Sequence, residues 1–370
     1  MSGALPGKPG LAAVTFSDHG GGIAAVSRLL RHVLDEATGR PVPAFALSAH
    51  PVSFDTGTAA RVVFGGRLAA AQLAGRCDWM LFTHLSLALA QMRIPRRIRR
   101  PYAVFLHDIE AWTPLSGIRG RALAGAFLRL ANSQFTAQQV MAANPDCGHV
   151  DVCPLALPPD YGAPSPDPGP TPRRTVVVVG RMAASERYKG HDQLIDAWPM
   201  VVAAVPDARL VCVGEGDDVP RLREKAAARG VAGSVQFPGF VSRAAKQAIY
   251  RDAALLAMPS RREGFGLVYL EAMAARLPCI GSVHDAAAEV IVDDETGYLV
   301  AQDDLSLLAS RITQLLVDEP LRRRLGAAGY ERYLRHHSYD VFRDRVTAQL
   351  VSALPANARR SPAARPVGTS

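Results

Sequence analysis

Two glutamates, Glu263 and Glu271, stand eight positions apart in "RREGFGLVYLEAMAARLPCIGS", on either side of a Gly264-Phe265-Gly266 turn. A carboxylate accepts hydrogen bonds and can receive two hydroxyl donors at once. The two glycines permit a tight turn, and the helix expected to follow offers unpaired N–H groups and the positive end of its dipole, a setting suited to phosphate. Glu263 precedes the turn, whereas Glu271 falls about a turn and a half into the helix. One acid can then hold sugar hydroxyls while the other holds a ribose diol, with phosphates between them. The same pair also fits a helix-capping Glu followed by a solvated one, so the surroundings must decide.

Upstream, "VVVVGRMAASERYKGHDQLI" places Arg181 and Lys189 after a valine-rich strand and before a helix. Cations there can neutralise a diphosphate, arginine through a fork of donors and lysine as a mobile point charge. An isolated Arg and Lys are ordinary surface residues; their place after a buried strand is what argues for a site. The run "VCVGEGDD" ends another strand in Gly214-Glu215-Gly216, where glycine lets backbone approach a ligand closely. In "VQFPGFVS", Phe240 and Val241 could set a nucleotide base against backbone groups. Either piece fits a plain strand-to-helix turn equally well.

These residues need a frame of parallel strands whose carboxyl ends lie together. Short apolar runs alternate with helical patterns along the whole chain, the signature of α/β architecture. In the first half the strand candidates are "LAAVTF", "VPAFAL", "RVVFGG", "DWMLFTH", "YAVFLH", "LANSQF" and "HVDVCP"; in the second they are "TVVVVG", "ARLVCVG", "SVQFPG", "ALLAMPS" and "PCIGSV". The Pro/Gly-rich stretch "LPPDYGAPSPDPGPTPRR" can continue neither element type and separates the two series. Two doubly wound domains facing across a cleft are therefore expected, since open α/β sheets bind ligands beyond the carboxyl ends of their strands. The boundaries read as a domain over 1–160, a linker over 161–174, a second domain over 175–337, a helix over 338–354 that can cross back to the first domain, and a disordered tail over 355–370. In that helix Tyr339, Phe342, Val346, Leu350 and Leu354 recur at helical spacing, so one face should be buried.

At 370 residues the chain exceeds what one core serves, and 48% hydrophobic with 21% charged residues is ordinary for a globular protein. A formal net charge of +8 favours anionic partners. The five cysteines are odd in number and scattered, which suits buried thiols in a cytoplasmic protein better than a disulfide framework or a zinc site. No apolar run is long enough to cross a bilayer, and "LAAVTF" reads as a first strand rather than a signal peptide.

Taken together these stretches resemble the retaining glycosyltransferases of the GT-B fold, specifically glycosyltransferase family 4. The resemblance runs from "SDHGGGIAAVSRLL" through "VFLHDIEAW" and "ANSQFTAQQV" to "VGRMAASERYKGHDQLIDAW", "EGFGLVYLEAMAARLPCIGS" and "DDETGYLV", the last three being its most specific parts. It implies two Rossmann-like domains. It also implies that Arg181 and Lys189 clamp a diphosphate, that Glu263 contacts donor-sugar hydroxyls and Glu271 the ribose, and that Gly264, Phe265, Gly266 and Leu267 bring amides to sugar and phosphate. In the first half Gly20, Gly21 and Gly22 match the glycine turn after the first strand, and His107 matches a histidine near the transferred sugar. Asp108 stands where glycine is common in the family and Ala288 where proline is common; the first puts the acceptor side in doubt.

The implied reaction is transfer of a hexose from a nucleoside diphosphate sugar to an acceptor hydroxyl with retention, without cofactor or metal, in polysaccharide or glycolipid assembly. No carboxylate is an obvious nucleophile, so a front-face route follows, in which the leaving phosphate takes the acceptor's proton. Asp217-Asp218 and Asp303-Asp304 resemble metal motifs only superficially. The arginines of "MRIPRRIRRPY", Arg93, Arg96, Arg97, Arg99 and Arg100, form a patch that could hold the protein on the inner face of an anionic membrane bearing a lipid-linked acceptor, or simply a solvated basic loop. A sugar-nucleotide epimerase or a silent nucleotide-sugar-binding protein would share the frame. Nucleic acid fits poorly because the arginines lack interleaved aromatics, and a nicotinamide oxidoreductase fits poorly because "GGG" lacks the G-x-G-x-x-G spacing.

Overall fold

The computed structural model describes residues 5–17, 21–48, 57–161 and 174–359; Gly20, positions 162–173 of the expected linker and the tail beyond 359 lie outside them. The chain divides into two compact units, one made of Met1–Pro158 and Tyr339–Ser370, the other of Pro159–Ser338.

The first unit carries strands β1 (Pro9–Ala13), β2 (Ala44–Ala46), β3 (Trp79–Phe82), β4 (Tyr102–Leu106), β5 (Leu128–Ala131) and β6 (Asp151–Val152) in one parallel sheet of order β2-β1-β3-β4-β5-β6. Its central strands β1, β3 and β4 are buried along their whole length, as a sheet covered on both faces requires. The second unit contains β7 (Thr175–Val179), β8 (Arg209–Val213), β9 (Val235–Gly239), β10 (Leu255–Ala257), β11 (Cys279–Ser282) and β12 (Gly297–Val300), ordered β12-β11-β10-β7-β8-β9 and again parallel.

Each sheet has a point where the winding reverses. In the second it lies between β7 and β10, because the chain leaves β7 toward β8 and later returns to lay β10 on the other side. In the first it lies between β1 and β3. At such a point the connections on the two sides diverge and leave a crevice at the carboxyl ends of the strands.

Several expectations need correction. "RVVFGG" is not a strand but part of the helix Thr58–Leu73: Phe64, Leu68, Ala71 and Gln72 recur at helical spacing and are buried, while Val62 and Val63 point outward. "LANSQF" is a strand only to Ala131; Ser133 then caps the helix Gln134–Ala143 by accepting from the Thr136 N–H at 3.0 Å. Strand β12 was not anticipated. The last helical segment breaks at Ser338, whose ψ of 155° ends the helix Glu319–His337. The next helix, Tyr339–Ala353, buries Phe342, Val346, Thr347 and Leu350 in the first unit. There Arg345 donates to the Pro154 carbonyl at 3.3 Å and Gln349 to that of Val152 at 3.0 Å. The start of the expected disordered tail is ordered: Ala356–Arg359 is helical and Ala358 is fully buried.

Candidate functional site

The winding reversal of the second sheet places the loop after β7 beside the loop after β10, and both carry predicted residues. Lys189 Nζ, from the first loop, lies 3.3 Å from Glu263 Oε2, from the second. The two loops are joined below this pair. The Arg261 N–H donates to the Tyr188 carbonyl at 3.0 Å, and the buried Gln302 side-chain amide donates to the carbonyls of Tyr188 (2.9 Å) and Pro259 (2.8 Å). Gly190, with φ +89°, sits where a Cβ would come within 2.7 Å of the Pro259 carbonyl oxygen, so the two backbones meet only because it has no side chain.

Burial opposes the charge of Lys189, but Glu263, with Tyr188 and Glu186, outweighs it and holds the pKa above the ordinary lysine value. Arg181 behaves differently. It is exposed and pairs with Glu186 in its own loop, so Glu186 links it to the field at Lys189 without placing Arg181 on the Lys189–Glu263 pair. Beneath them His191 is buried with Nε2 unpartnered, and burial followed by the Lys189 charge lowers its pKa to about 4. The imidazole is therefore neutral at pH 7. Sequence reasoning passed over both His191 and Gln302, since neither falls in a spacing that distinguishes it.

The glycines after β8 fit beneath the β7 loop. At Gly214, φ +137°, a Cβ would lie 2.1 Å from the Gly180 oxygen, and at Gly216 it would lie 2.0 Å from the Met182 oxygen. The close neighbour is thus protein backbone. Glu215 is exposed, and its carbonyl accepts from the Met182 N–H at 2.9 Å. Phe240 is half-exposed and Val241 half-buried, just past β9 at the edge of the sheet.

Gly266, φ +84°, precedes the helix Leu267–Ala274; a Cβ there would strike the Tyr269 ring at 2.4 Å and approach the Glu263 Cγ at 3.3 Å. Gly264 and Phe265 are buried, and Phe265 meets His337 edge-on at 5.7 Å between ring centroids. Leu267 opens the helix half-buried. Glu271 is buried and engaged elsewhere: its Oε1 lies 2.6 Å from Lys246 Nζ, and its Oε2 accepts from the Tyr250 hydroxyl at 2.9 Å. Each predicted carboxylate thus has a lysine of its own, and the two do not share a partner. The Tyr161 hydroxyl is buried without a partner, and burial and then Glu271 raise its pKa.

In the first unit Gly21, φ +66°, and Gly22 open the helix Gly21–Thr38 after β1, both exposed. His107 ends β4. Its Nε2–H donates to the Thr83 carbonyl at 2.6 Å, and its own carbonyl accepts from Asn132 at 2.6 Å and Thr136 at 3.3 Å. The ring stacks on His84 with centroids 6.2 Å apart. Burial lowers the pKa of both, to about 3 for His84 with His107 adding to the effect. Glu110, which the sequence reading did not single out, shapes the turn after β4: its two oxygens accept from the His107 and Asp108 N–H groups at 2.8 and 2.9 Å.

The basic patch is smaller than expected. The Arg99 guanidinium donates to the carbonyls of Met92 and Ile94 at 2.7 Å each, and Arg100 is half-buried; Arg93, Arg96 and Arg97 remain exposed. All five cysteines are buried free thiols. Among the described residues no helix is long and apolar enough to cross a membrane.

Residues 167–332 match the family described as Glycosyl transferases group 1. A phosphatidyl-myo-inositol mannosyltransferase of Mycobacterium leprae is 38% identical over 164 residues, 44% of this chain and 42% of that protein. A GDP-mannose-dependent alpha-(1-6)-phosphatidylinositol monomannoside mannosyltransferase of Mycobacterium tuberculosis is 36% identical over 166 residues, covering 43% and 42%. The matches thus span less than half the length of these curated relatives. Among solved structures, a sucrose-phosphate synthase from Thermosynechococcus elongatus superposes with a TM-score of 0.77 at 19% identity, over 94% of this chain and 100% of that one. Anabaena HepE in complex with UDP and glucose gives 0.71 at 19% identity and the same coverage. Residues 167–332 thus match the glycosyl transferases group 1 family, in a chain whose two α/β units have the GT-B fold.

Proposed function

We propose that the chain is a retaining glycosyltransferase that moves a hexose from a nucleoside diphosphate sugar to the hydroxyl of a membrane-lipid acceptor. The names of the curated relatives favour GDP-mannose as donor and a phosphatidylinositol-type lipid as acceptor. The observation that carries the reading is the Lys189–Glu263 pair at the winding reversal of the matched domain, beside the N-terminus of the helix Leu267–Ala274.

Departure of the diphosphate concentrates negative charge, so a lysine held in place and a helix N-terminus stabilise the transition state more than the ground state. Lys189 supplies the fixed cation, and Arg181 adds a second after parting from Glu186. Glu263 accepts from donor-sugar hydroxyls and Glu271 from the ribose diol. In the front-face route the leaving phosphate takes the acceptor's proton, so no side chain needs to act as nucleophile.

Donor binding is proposed to need no metal. Asp217 already accepts from the Ala184 N–H at 2.9 Å, and Asp218 is held by Arg187 and Arg221. Arg93, Arg96 and Arg97 are proposed to meet anionic lipid. Flotation with acidic and neutral vesicles tests that contact; equal recovery with both at low salt removes it.

The deciding experiment incubates purified protein with a panel of nucleoside diphosphate hexoses and phosphatidylinositol vesicles, then identifies the glycolipid by mass spectrometry and its anomeric configuration by NMR. An α-linked product from an α-linked donor is expected. Donor consumption independent of acceptor would favour an epimerase instead, and inversion would overturn the retaining route.

A further inference from the structure

Beneath Glu263 lies a second carboxylate that no sequence motif marks. Asp285 follows β11, is 4% exposed, and accepts three hydrogen bonds. The Glu263 N–H donates to its Oδ2 at 3.1 Å, the buried Ser260 hydroxyl donates to the same oxygen, and the Ala287 N–H donates to Oδ1 at 3.0 Å. The Ala286 N–H closes the arrangement by donating to the Glu263 carbonyl at 3.2 Å. One side chain therefore ties the loop after β10, which carries Glu263, to the loop after β11.

Building on the donor-site reading above, we propose that Asp285 is a positioning residue: as a carboxylate it fixes the backbone at Glu263, and through Glu263 the position of Lys189, and its protonation loosens both. The two N–H groups can only donate. An ionised Asp285 satisfies all three donors at once, whereas a proton on Oδ1 faces the Ala287 N–H, and one on Oδ2 can be accepted only by a reversed Ser260 hydroxyl, with the Glu263 N–H still directed at that oxygen.

The titratable groups facing Asp285 are Glu263 from the β10 loop and the Tyr269 phenol from the helix Leu267–Ala274, with Lys189 beyond Glu263. Burial, opposed by hydrogen bonds to Ser260, Ala287 and Glu263 and aided by the Glu263 charge, leaves the Asp285 pKa raised to about 6. The group thus changes charge close to neutrality, where an ordinary aspartate does not.

The test is calorimetric binding of GDP-mannose and a panel of other nucleotide sugars between pH 5 and 8, with Asp285→Asn, Asp285→Ala and Ser260→Ala. A nucleotide sugar is the probe because its doubly esterified diphosphate does not titrate in this range, whereas a terminal phosphate does near pH 6. Wild-type affinity should fall about tenfold between pH 7 and pH 5, the change expected from losing one charge-assisted contact. Asp285→Asn should bind about tenfold more weakly at pH 7 and lose the pH dependence. In Ser260→Ala, which keeps the carboxylate but removes one donor to it, the midpoint should move to higher pH.

Wild-type protein that binds no nucleotide sugar would overturn the donor site and this proposal together. Wild-type binding with an unchanged affinity and pH profile in Asp285→Asn would overturn the positioning role alone. Should both Asp285 variants fail to fold, an unmoved midpoint in Ser260→Ala is the overturning result.

Discussion

Lys189 and Glu263 come from loops 74 residues apart in sequence and meet 3.3 Å apart over the junction of β7 and β10, each with less than a fifth of its side chain exposed. A lysine so placed is already oriented, so little side-chain entropy remains to be lost when a diphosphate arrives. Replacing Lys189 with Ala should lower kcat/KM about ten- to a hundredfold, the worth of one charged hydrogen bond. Steady-state kinetics on Lys189→Ala, Glu263→Ala and the double variant provide the check. Strict additivity would mean the two act independently.

The two glutamates should separate by ligand. Glu271→Ala is expected to weaken nucleoside diphosphate and nucleotide sugar alike, about tenfold, because its assigned contact is the ribose. Glu263→Ala should weaken the nucleotide sugar more than the nucleoside diphosphate, because it removes the sugar contact in addition to the group that holds Lys189. Calorimetry with both ligands distinguishes the roles, and equal losses in both variants would remove them.

Asp285 makes opposite demands on folding and on binding. Its pKa, about 6 in the folded protein, exceeds that of an unfolded aspartate, so the folded state binds more protons between pH 4 and 6. This group's contribution to stability therefore grows as pH falls through that window, while donor affinity declines. Melting temperatures of wild type and Asp285→Asn at pH 7 and pH 5 should diverge accordingly. The wild type should gain, relative to the variant, at the lower pH.

Asp218 has the opposite sign. Hydrogen bonds from Arg221, and then from Arg187 against the cost of burial, hold its pKa well below the usual carboxylate range. The stability it supplies is complete above the unfolded value near pH 4 and is lost as pH falls through the folded one. Asp218→Ala should cost about 1 to 3 kcal/mol, since the half-exposed Arg187 loses its acceptor while Arg221 keeps Asp192. Urea unfolding at pH 7 measures it, and a change below about 0.5 kcal/mol would contradict the assignment.

Chelation is the simplest test of the proposal that donor binding needs no metal. Turnover after EDTA treatment and gel filtration should match that of untreated enzyme. A loss restored by magnesium or manganese would place a cation in the reaction.

Much of the frame was legible because buried parallel strands announce themselves as apolar runs, as in Val176 to Val178 or Tyr102 to Leu106. The errors came where a short window imitates another element. Val62-Val63-Phe64 looks like a strand until the period is followed on to Leu68, Ala71 and Gln72. Within the candidate site, the spacing of Arg181, Lys189, Glu263 and Glu271 was visible, but their partners were not. Lys246, Gln302 and Asp285 reach the site through sheet order, from 25, 43 and 22 residues away from the groups they hold. Such pairing is set by which strands become neighbours, and no local pattern encodes it.

The helix Tyr339–Ala353 completes the first unit with residues that leave the ribosome only after all of Pro159–Ser338. Until it arrives, the surface it covers on the helix Gly21–Thr38, and the carbonyls of Val152 and Pro154 that it engages, stay open to water. During synthesis the early half must therefore wait as an unfinished intermediate while the later half can already fold, a reversal of the usual vectorial order.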